Sequence, residues 1–220
     1  MECAVIFDVD GVLVDSYAAH REAWRAMAAA EGLPPFDEAS FRLLFGRLSK
    51  PMIEAFWGPG RYTDAQLSVL NDRREAAFRE IAAAAFPAMP GARELLAALH
   101  ADGFALAIGS SGPPENVDMV LDRLDVRPLF QAVVTGREVR HGKPDPEVFL
   151  TAAARLGVAP DCCVVVEDAP PGVEAANRAG MASIGMAGGD APARDLTAAR
   201  LVVNALSELT PAIIRRLVCQ

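Results

Sequence analysis

Basic residues are scarce in this chain. Its 21 Lys and Arg are outnumbered by 29 Asp and Glu, for a formal net charge of −8. No basic stripe interrupts that acidity, so the electrostatic footprint of a nucleic-acid binder is missing, and anionic membranes are poor partners. A small phosphate ester stays open, because one well-placed cation overrides net charge locally. Long apolar runs are missing as well: none approaches the roughly 18 residues of a membrane helix. No basic segment leads a long apolar one at the start, where the sequence opens straight into a strand-like run. We therefore expect a cytoplasmic protein. Cysteine is sparse (Cys3, Cys162, Cys163 and Cys219), and no CxxC pair occurs. Adjacent cysteines make a poor metal fork, and the apolar surroundings of most of them indicate buried, reduced thiols rather than a disulfide framework. Internal repeats and low-complexity tracts are absent, apart from an alanine enrichment that favours helix.

What is present is apolar: 52% of 220 residues are hydrophobic, enough for one substantial core and a smaller appendage. Strand-like runs recur at Cys3–Phe7, Phe104–Ile108, Ala132–Val134, Cys163–Val166 and Ala182–Met186, with a weaker one at Leu201–Val203. Helical patterns lie between them at Ala92–Ala101, Pro114–Leu124, Pro146–Leu156 and Gly172–Ala179. Continuous rather than alternating apolar strands imply a parallel sheet covered on both faces, an α/β fold. Such sheets bind ligands at the carboxyl ends of their strands. From about Ser16 to Phe86 no strand is convincing. Helices are expected at Tyr17–Glu31, Asp37–Gly46, Lys50–Trp57 and Asp64–Ala85, broken at Gly32-Leu-Pro-Pro35 and Gly58-Pro-Gly60. This predicts a core from residues 1–15 and 87–220, with residues 16–86 inserted after the first strand as a helical lid over the crevice.

The first strand ends in two carboxylates spaced i, i+2, Asp8 and Asp10, followed by Gly11. Past a strand end the chain curls and can bring both to one site, where they must be separated by protonation or held by a cation. That suits a carboxylate nucleophile, a neighbouring acid/base and a divalent metal. The second strand ends in Gly109-Ser110-Ser111-Gly112, small residues and hydroxyls before a helix, which make an anion site. Lys143 precedes another helix, and the fourth strand runs into Glu167-Asp168. Taken singly, each feature is ordinary: the acid pair as turn chemistry, Lys143 as a surface charge, Glu167-Asp168 as a helix cap. Their joint occurrence at successive strand ends carries the signal.

With these residues in place, the chain resembles the haloacid dehalogenase (HAD) superfamily, subfamily IA, along essentially its whole length. It is similar to the branch that contains β-phosphoglucomutase, phosphoglycolate-phosphatase-like enzymes and sugar-phosphate phosphatases. Asp8-Val-Asp10-Gly11-Val-Leu-Val-Asp15-Ser16 matches the first family motif, Ser110 the second, Lys143-Pro144 the third and Glu167-Asp168 the fourth. The resemblance implies a Rossmann-like core with a parallel sheet and a small all-helical cap. Dehalogenases of the superfamily lack the second acid of the first motif; its presence here as Asp10 implies phosphoryl transfer. Asp8 is then the nucleophile that forms an aspartyl-phosphate. Asp10 protonates the leaving alkoxide and later deprotonates water, while Ser110 and Lys143 balance charge on the transferring oxygens. The resemblance implies Mg2+ as cofactor, held by Asp8, the main-chain carbonyl of Asp10 and Asp168, with Glu167 in or beside its coordination sphere. Gly11 allows close backbone approach, and Asp15 and Ser16 anchor the loop and start the next helix.

The resemblance also implies that specificity comes from the cap. His20 is expected on the substrate side and Trp24 in the cap core; Arg47 and Arg74 are candidate substrate cations, with Lys50 competing with Arg47 for the family's cap arginine. In the core, Ser111 and Asn116 join Gly11 as candidate substrate contacts. The β-phosphoglucomutase branch tends to continue the second motif with Ser-Lys-Asn, whereas this chain reads Ser110-Ser111-Gly112-Pro113-Pro114-Glu115-Asn116 and lacks the lysine. That departure favours a phosphatase acting on a small phosphomonoester, such as a sugar phosphate, over a mutase. A non-catalytic phosphate-binding regulator is a third reading, disfavoured because every motif acid is present. A monomer is the expected state.

Overall fold

The computed structural model describes residues 3–45, 49–189 and 195–218. In chain order the elements are β1 (Ala4–Phe7), α1 (Tyr17–Ala30), α2 (Glu38–Leu44), α3 (Ser49–Trp57), α4 (Asp64–Ala84), α5 (Ala92–Ala101) and β2 (Ala105–Gly109). There follow α6 (Pro114–Leu124), β3 (Ala132–Val134), α7 (Glu147–Leu156), β4 (Cys163–Glu167), α8 (Pro170–Arg178), β5 (Ala182–Met186), β6 (Leu201–Val203) and α9 (Pro211–Val218). Two compact units result: Met1–Asp15 with Pro87–Gln220, and Ser16–Phe86.

The first unit is a six-stranded sheet in the order β3-β2-β1-β4-β5-β6, every neighbouring pair parallel. All four residues of β1 are buried, as a central strand covered on both faces requires. On one face Ile6, Ala107 and Val165 pack with Val148, Phe149 and Ala152 of α7 and with Ala175 and Ala176 of α8. Phe7 pairs with Ile108 on one side and Val166 on the other, so the three central strands end level. The amide of Asp8 continues the ladder by donating to the Val166 carbonyl at 3.0 Å. Cys3, Cys162 and Cys163 are buried and form no disulfide, and burial pushes the Cys163 thiol up to about 12. Cys219 lies outside the described residues.

Where the chain leaves and re-enters this unit, its two segments clasp each other. Asp15 N–H donates to the Pro87 carbonyl at 2.8 Å, Met89 N–H donates to the Leu13 carbonyl at 3.0 Å, and Val14 bridges Ala88 in antiparallel fashion. Several element bounds shift by one or two residues from the sequence reading, and two differences bear on the packing. Helix α8 starts at Pro170 rather than Gly172, because proline suits the first helical turn, where no amide donor is needed. The terminal helix α9 was not anticipated: it is short and fully buries only Ile214. It is fixed instead by Arg215, whose guanidinium lies 4.7 Å from the Phe104 ring centroid and 2.7 Å from Asp102 Oδ2.

The second unit is helical. Trp24, Phe41, Ile53, Trp57 and Phe78 are buried, and the rings of Phe36 and Phe56 stack at 4.7 Å. Helix starts follow local chemistry. Asp37 accepts from Ser40 N at 2.8 Å, and Thr63 and Gln66 form a reciprocal capping box. Ser16 stands at the start of α1 but makes no capping bond, and its buried hydroxyl has no hydrogen-bond partner. No helix among the described residues is long and apolar enough to cross a membrane.

Phe41 is fully buried against Tyr17, Phe36 and Phe45. Phe41→Ala should therefore cost about 3–5 kcal/mol, read as a lower urea midpoint for a transition of the helical unit. A shift equivalent to less than about 1 kcal/mol would contradict this packing.

Candidate active site

Asp8 is the first residue beyond β1, Ser110 the first beyond β2, and Glu167 the last of β4. Because the strands end level, a parallel sheet alone delivers these three side chains to one edge. Lys143 arrives from the segment ahead of α7. Its Nζ donates to Asp8 Oδ1 and to Glu167 Oε1, both at 2.7 Å. The Lys143 side chain is 9% exposed, and its ammonium lies 4.8 Å from the Phe149 ring centroid. Glu167 Oε2 accepts from Ala169 N at 2.7 Å, so both of its oxygens are engaged.

Asp168 and Glu167 are each closely approached by a glycine. Gly11 has φ +75°, and a Cβ there would fall 2.2 Å from Asp168 Oδ2. Gly172, in the first turns of α8, comes equally close to Glu167: its Cβ would lie 1.9 Å from Oε1. Side chains at either position would push the acids out of place. Ser110 Oγ accepts from Gly112 N at 3.0 Å, and Asp10 faces the same loop, since a Cβ at Gly112 would sit 3.3 Å from Ser110 Oγ and 3.8 Å from Asp10 Oδ2. Gly136 supports the loop from beneath. It donates to the Gly112 carbonyl at 3.0 Å and leaves no room for a side chain against the Ser111 carbonyl.

Burial dominates the electrostatics. It pushes the Asp8 carboxyl up to about 7, with Glu167 and Asp10 adding to the shift and Lys143 opposing it. Burial would lower the Lys143 ammonium, but the charges of Asp8 and Glu167 hold it above the ordinary lysine range. Carboxylate oxygens of Asp8, Glu167 and Asp168 lie within 4.8 Å of one another. A group of only hard oxygen donors fits Mg2+ better than Zn2+, which prefers nitrogen and sulfur. Asp10 adds no carboxylate to this group.

The residues anticipated from sequence fall into three sets. Asp8, Gly11, Lys143, Glu167 and Asp168 come together, with Asp10 and Ser110 beside the Gly112 loop. Asn116 is buried in the first turn of α6, and Ser111 is exposed. His20 and Arg74 are brought together within the helical unit. An Arg74 nitrogen is 3.3 Å from His20 Nδ1, the imidazole stacks on Phe78 at 3.9 Å, and the guanidinium also pairs with Glu75 and lies 5.2 Å from the Trp24 ring. Lys50 is on the surface, paired with Asp64 at 3.0 Å. Arg47 lies outside the described residues. Gly136 and Gly172 were missed; the run Ala169-Pro170-Pro171-Gly172 directly after an acid pair was the available signal for the latter.

A parallel α/β sheet with acids, a lysine and a hydroxyl loop gathered at its carboxyl edge defines a class of hydrolase. Residues 4–180 match the model of the haloacid dehalogenase-like hydrolase family, and the chain belongs to that family. It is 34% identical to the β-phosphoglucomutase of Bacillus subtilis, over 94% of this chain and 91% of that protein. It is also 34% identical to the phosphorylated carbohydrates phosphatase of Thermotoga maritima, over 82% of this chain and 83% of that one. Among solved structures, a HAD hydrolase of family IA, variant 3, from Entamoeba histolytica superposes with a TM-score of 0.89 at 25% identity, covering 100% of both chains.

The raised Asp8 carboxyl carries a stability consequence. An unfolded aspartate ionises near pH 4, so from about pH 4 to about 7 the native state holds a proton the unfolded chain has lost, and stability falls as pH rises. In chelator, Asp8→Asn should melt higher than wild type at pH 8, with the gap closing toward pH 4. A gap that does not change with pH would refute the burial argument. Gly172→Ala should lower stability by about 1–3 kcal/mol through overpacking against Glu167, despite alanine's better helix propensity; an unchanged melting temperature would contradict that close approach.

Proposed function

We propose that the chain is a Mg2+-dependent phosphatase of a small phosphorylated metabolite, a sugar phosphate by preference, acting through an aspartyl-phosphate on Asp8. The observation that carries this reading is the Lys143 ammonium, bridging Asp8 and Glu167 at 2.7 Å beside Asp168. An oxygen of Asp8 attacks phosphorus as the ester oxygen departs in line, and Asp10 gives that oxygen its proton. Asp10, now a carboxylate, takes a proton from the water that attacks the aspartyl-phosphate, releasing inorganic phosphate and restoring Asp8. Lys143 and Ser110 hold the phosphoryl oxygens throughout. When bound by Asp8, Asp168 and the Asp10 carbonyl, with Glu167 in or beside the set, Mg2+ supplies the positive charge that lets a carboxylate meet a phosphate dianion.

The helical unit is assigned substrate selection, through the paired His20 and Arg74 in particular, and Ser111 and Asn116 are assigned to the substrate side of the core. Similarity to the phosphorylated carbohydrates phosphatase of Thermotoga maritima supports the sugar-phosphate class. A second reading, β-phosphoglucomutase, draws on the 34% identity to the Bacillus subtilis enzyme. It differs only in whether a sugar hydroxyl replaces water at the second step. The Ser110-Ser111-Gly112 sequence, without the lysine of the mutase branch, favours water. A monomer in the cytoplasm completes the proposal.

Phosphate release from a panel of small phosphomonoesters, with and without Mg2+ and with Asp8→Asn as the blank, tests this directly. Mg2+-dependent release concentrated on sugar phosphates is expected. Conversion of β-glucose 1-phosphate to the 6-phosphate, with no net release, would establish the mutase instead. Asp10→Ala should slow sugar phosphates at least about a hundred-fold but p-nitrophenyl phosphate only a few-fold, since nitrophenolate leaves without a proton. Equal losses on both would remove Asp10 from the acid role.

A further inference from the structure

A second group of metal-ligating side chains lies outside the acid cluster. His141, Asp145 and Glu147 each offer a donor atom, and the three atoms lie within 4.8 Å of one another. They straddle Lys143 in sequence. The Lys143 ammonium itself is committed elsewhere, to Asp8 and Glu167. We propose that His141, Asp145 and Glu147 form a binding site for a borderline divalent ion of the Zn2+ type, on the turn that carries Lys143.

The donor chemistry separates this site from the first. One imidazole with two carboxylates matches Zn2+ and its neighbours in the transition series, whereas Mg2+ prefers a set of oxygens alone. Three protein donors leave a fourth tetrahedral position for water. The turn is already shaped for the purpose. Glu147 Oε2 accepts from Arg140 N at 3.0 Å and His141 N at 2.9 Å, Asp145 Oδ1 accepts from Glu147 N at 3.0 Å, and Asp145 N–H donates to the Gly142 carbonyl at 3.1 Å. These bonds fold the segment so that His141 Nδ1 stands 3.3 Å from Glu147 Oε2. They use one oxygen of each carboxylate, leaving Asp145 Oδ2 and Glu147 Oε1 outside every named bond. The imidazole is 70% exposed, so an ion has an open approach. Arg140, exposed in the same turn, is the charge that opposes binding. A bound ion would tie residue 141 to residues 145 and 147 across Lys143 and stiffen the segment that presents it.

The test is calorimetric titration of the full chain with ZnCl2 in saturating MgCl2, for wild type, His141→Ala, Asp145→Asn and Asp168→Asn. One Zn2+ per chain is expected. Affinity should fall at least about ten-fold in His141→Ala and in Asp145→Asn and hold in Asp168→Asn. His141 is a surface side chain, so its loss leaves the core intact, and Asp145→Asn is an independent second probe. Slower amide exchange across residues 139–147 on Zn2+ addition, in wild type but not in His141→Ala, is the matching structural readout. Equal affinity in His141→Ala, or a loss confined to Asp168→Asn, would overturn the proposal. So would a thiolate charge-transfer band with Co2+ as probe, which would place the ion on cysteine.

Discussion

Three carboxylates cannot share a buried edge without a positive charge among them. In a low-dielectric site each would raise the others' proton affinity until one neutralised. Here the Lys143 ammonium sits between Asp8 and Glu167 and opposes the rise of the Asp8 carboxyl, which burial drives first and the neighbouring acids Glu167 and Asp10 add to. The rest of the site follows from that constraint. The level strand ends supply the acids, and the segment before α7 supplies the ammonium. Phe149 seals one side of Lys143 while also anchoring α7 in the sheet's core, so the charge balance of the site and the packing of the body share a residue.

Such density of charge needs room, and the room is made by omission. At Gly11, Gly136 and Gly172 the missing Cβ lets main chain come within touching distance of a carboxylate or a carbonyl. These positions act less through flexibility than through clearance. The same logic holds at Gly109, where the Phe149 ring occupies the space a side chain would need.

The body of the fold was readable because its signals are local. Apolar runs such as Cys3–Phe7 and Cys163–Val166 end abruptly in acids, and a parallel sheet turns those linear endings into one edge. The family motifs marked the same residues. The illegible parts depend on contacts between distant segments. Gly172 looks like one more turn glycine until α8 is laid against Glu167. Helix α9 has too small an apolar face to announce itself, and it is held by Arg215 reaching to Asp102 and Phe104, more than a hundred positions away. Ser16 shows the opposite failure: a good capping residue at the right position, whose hydroxyl the fold does not use. In the helical unit the pairing of His20 with Arg74 spans 54 positions, and no pattern on either helix specified it.

The clasp between Asp15 and Pro87 has a consequence of another kind. The chain leaves the sheet and returns to it at neighbouring points, already joined by main-chain hydrogen bonds. Everything from Ser16 to Phe86 hangs from that junction as a closed excursion. For the sheet, the entropic cost of the excursion grows only as the logarithm of its length. The intervening stretch can therefore differ in length at little cost to the sheet, while the strands that hold the acids keep their register.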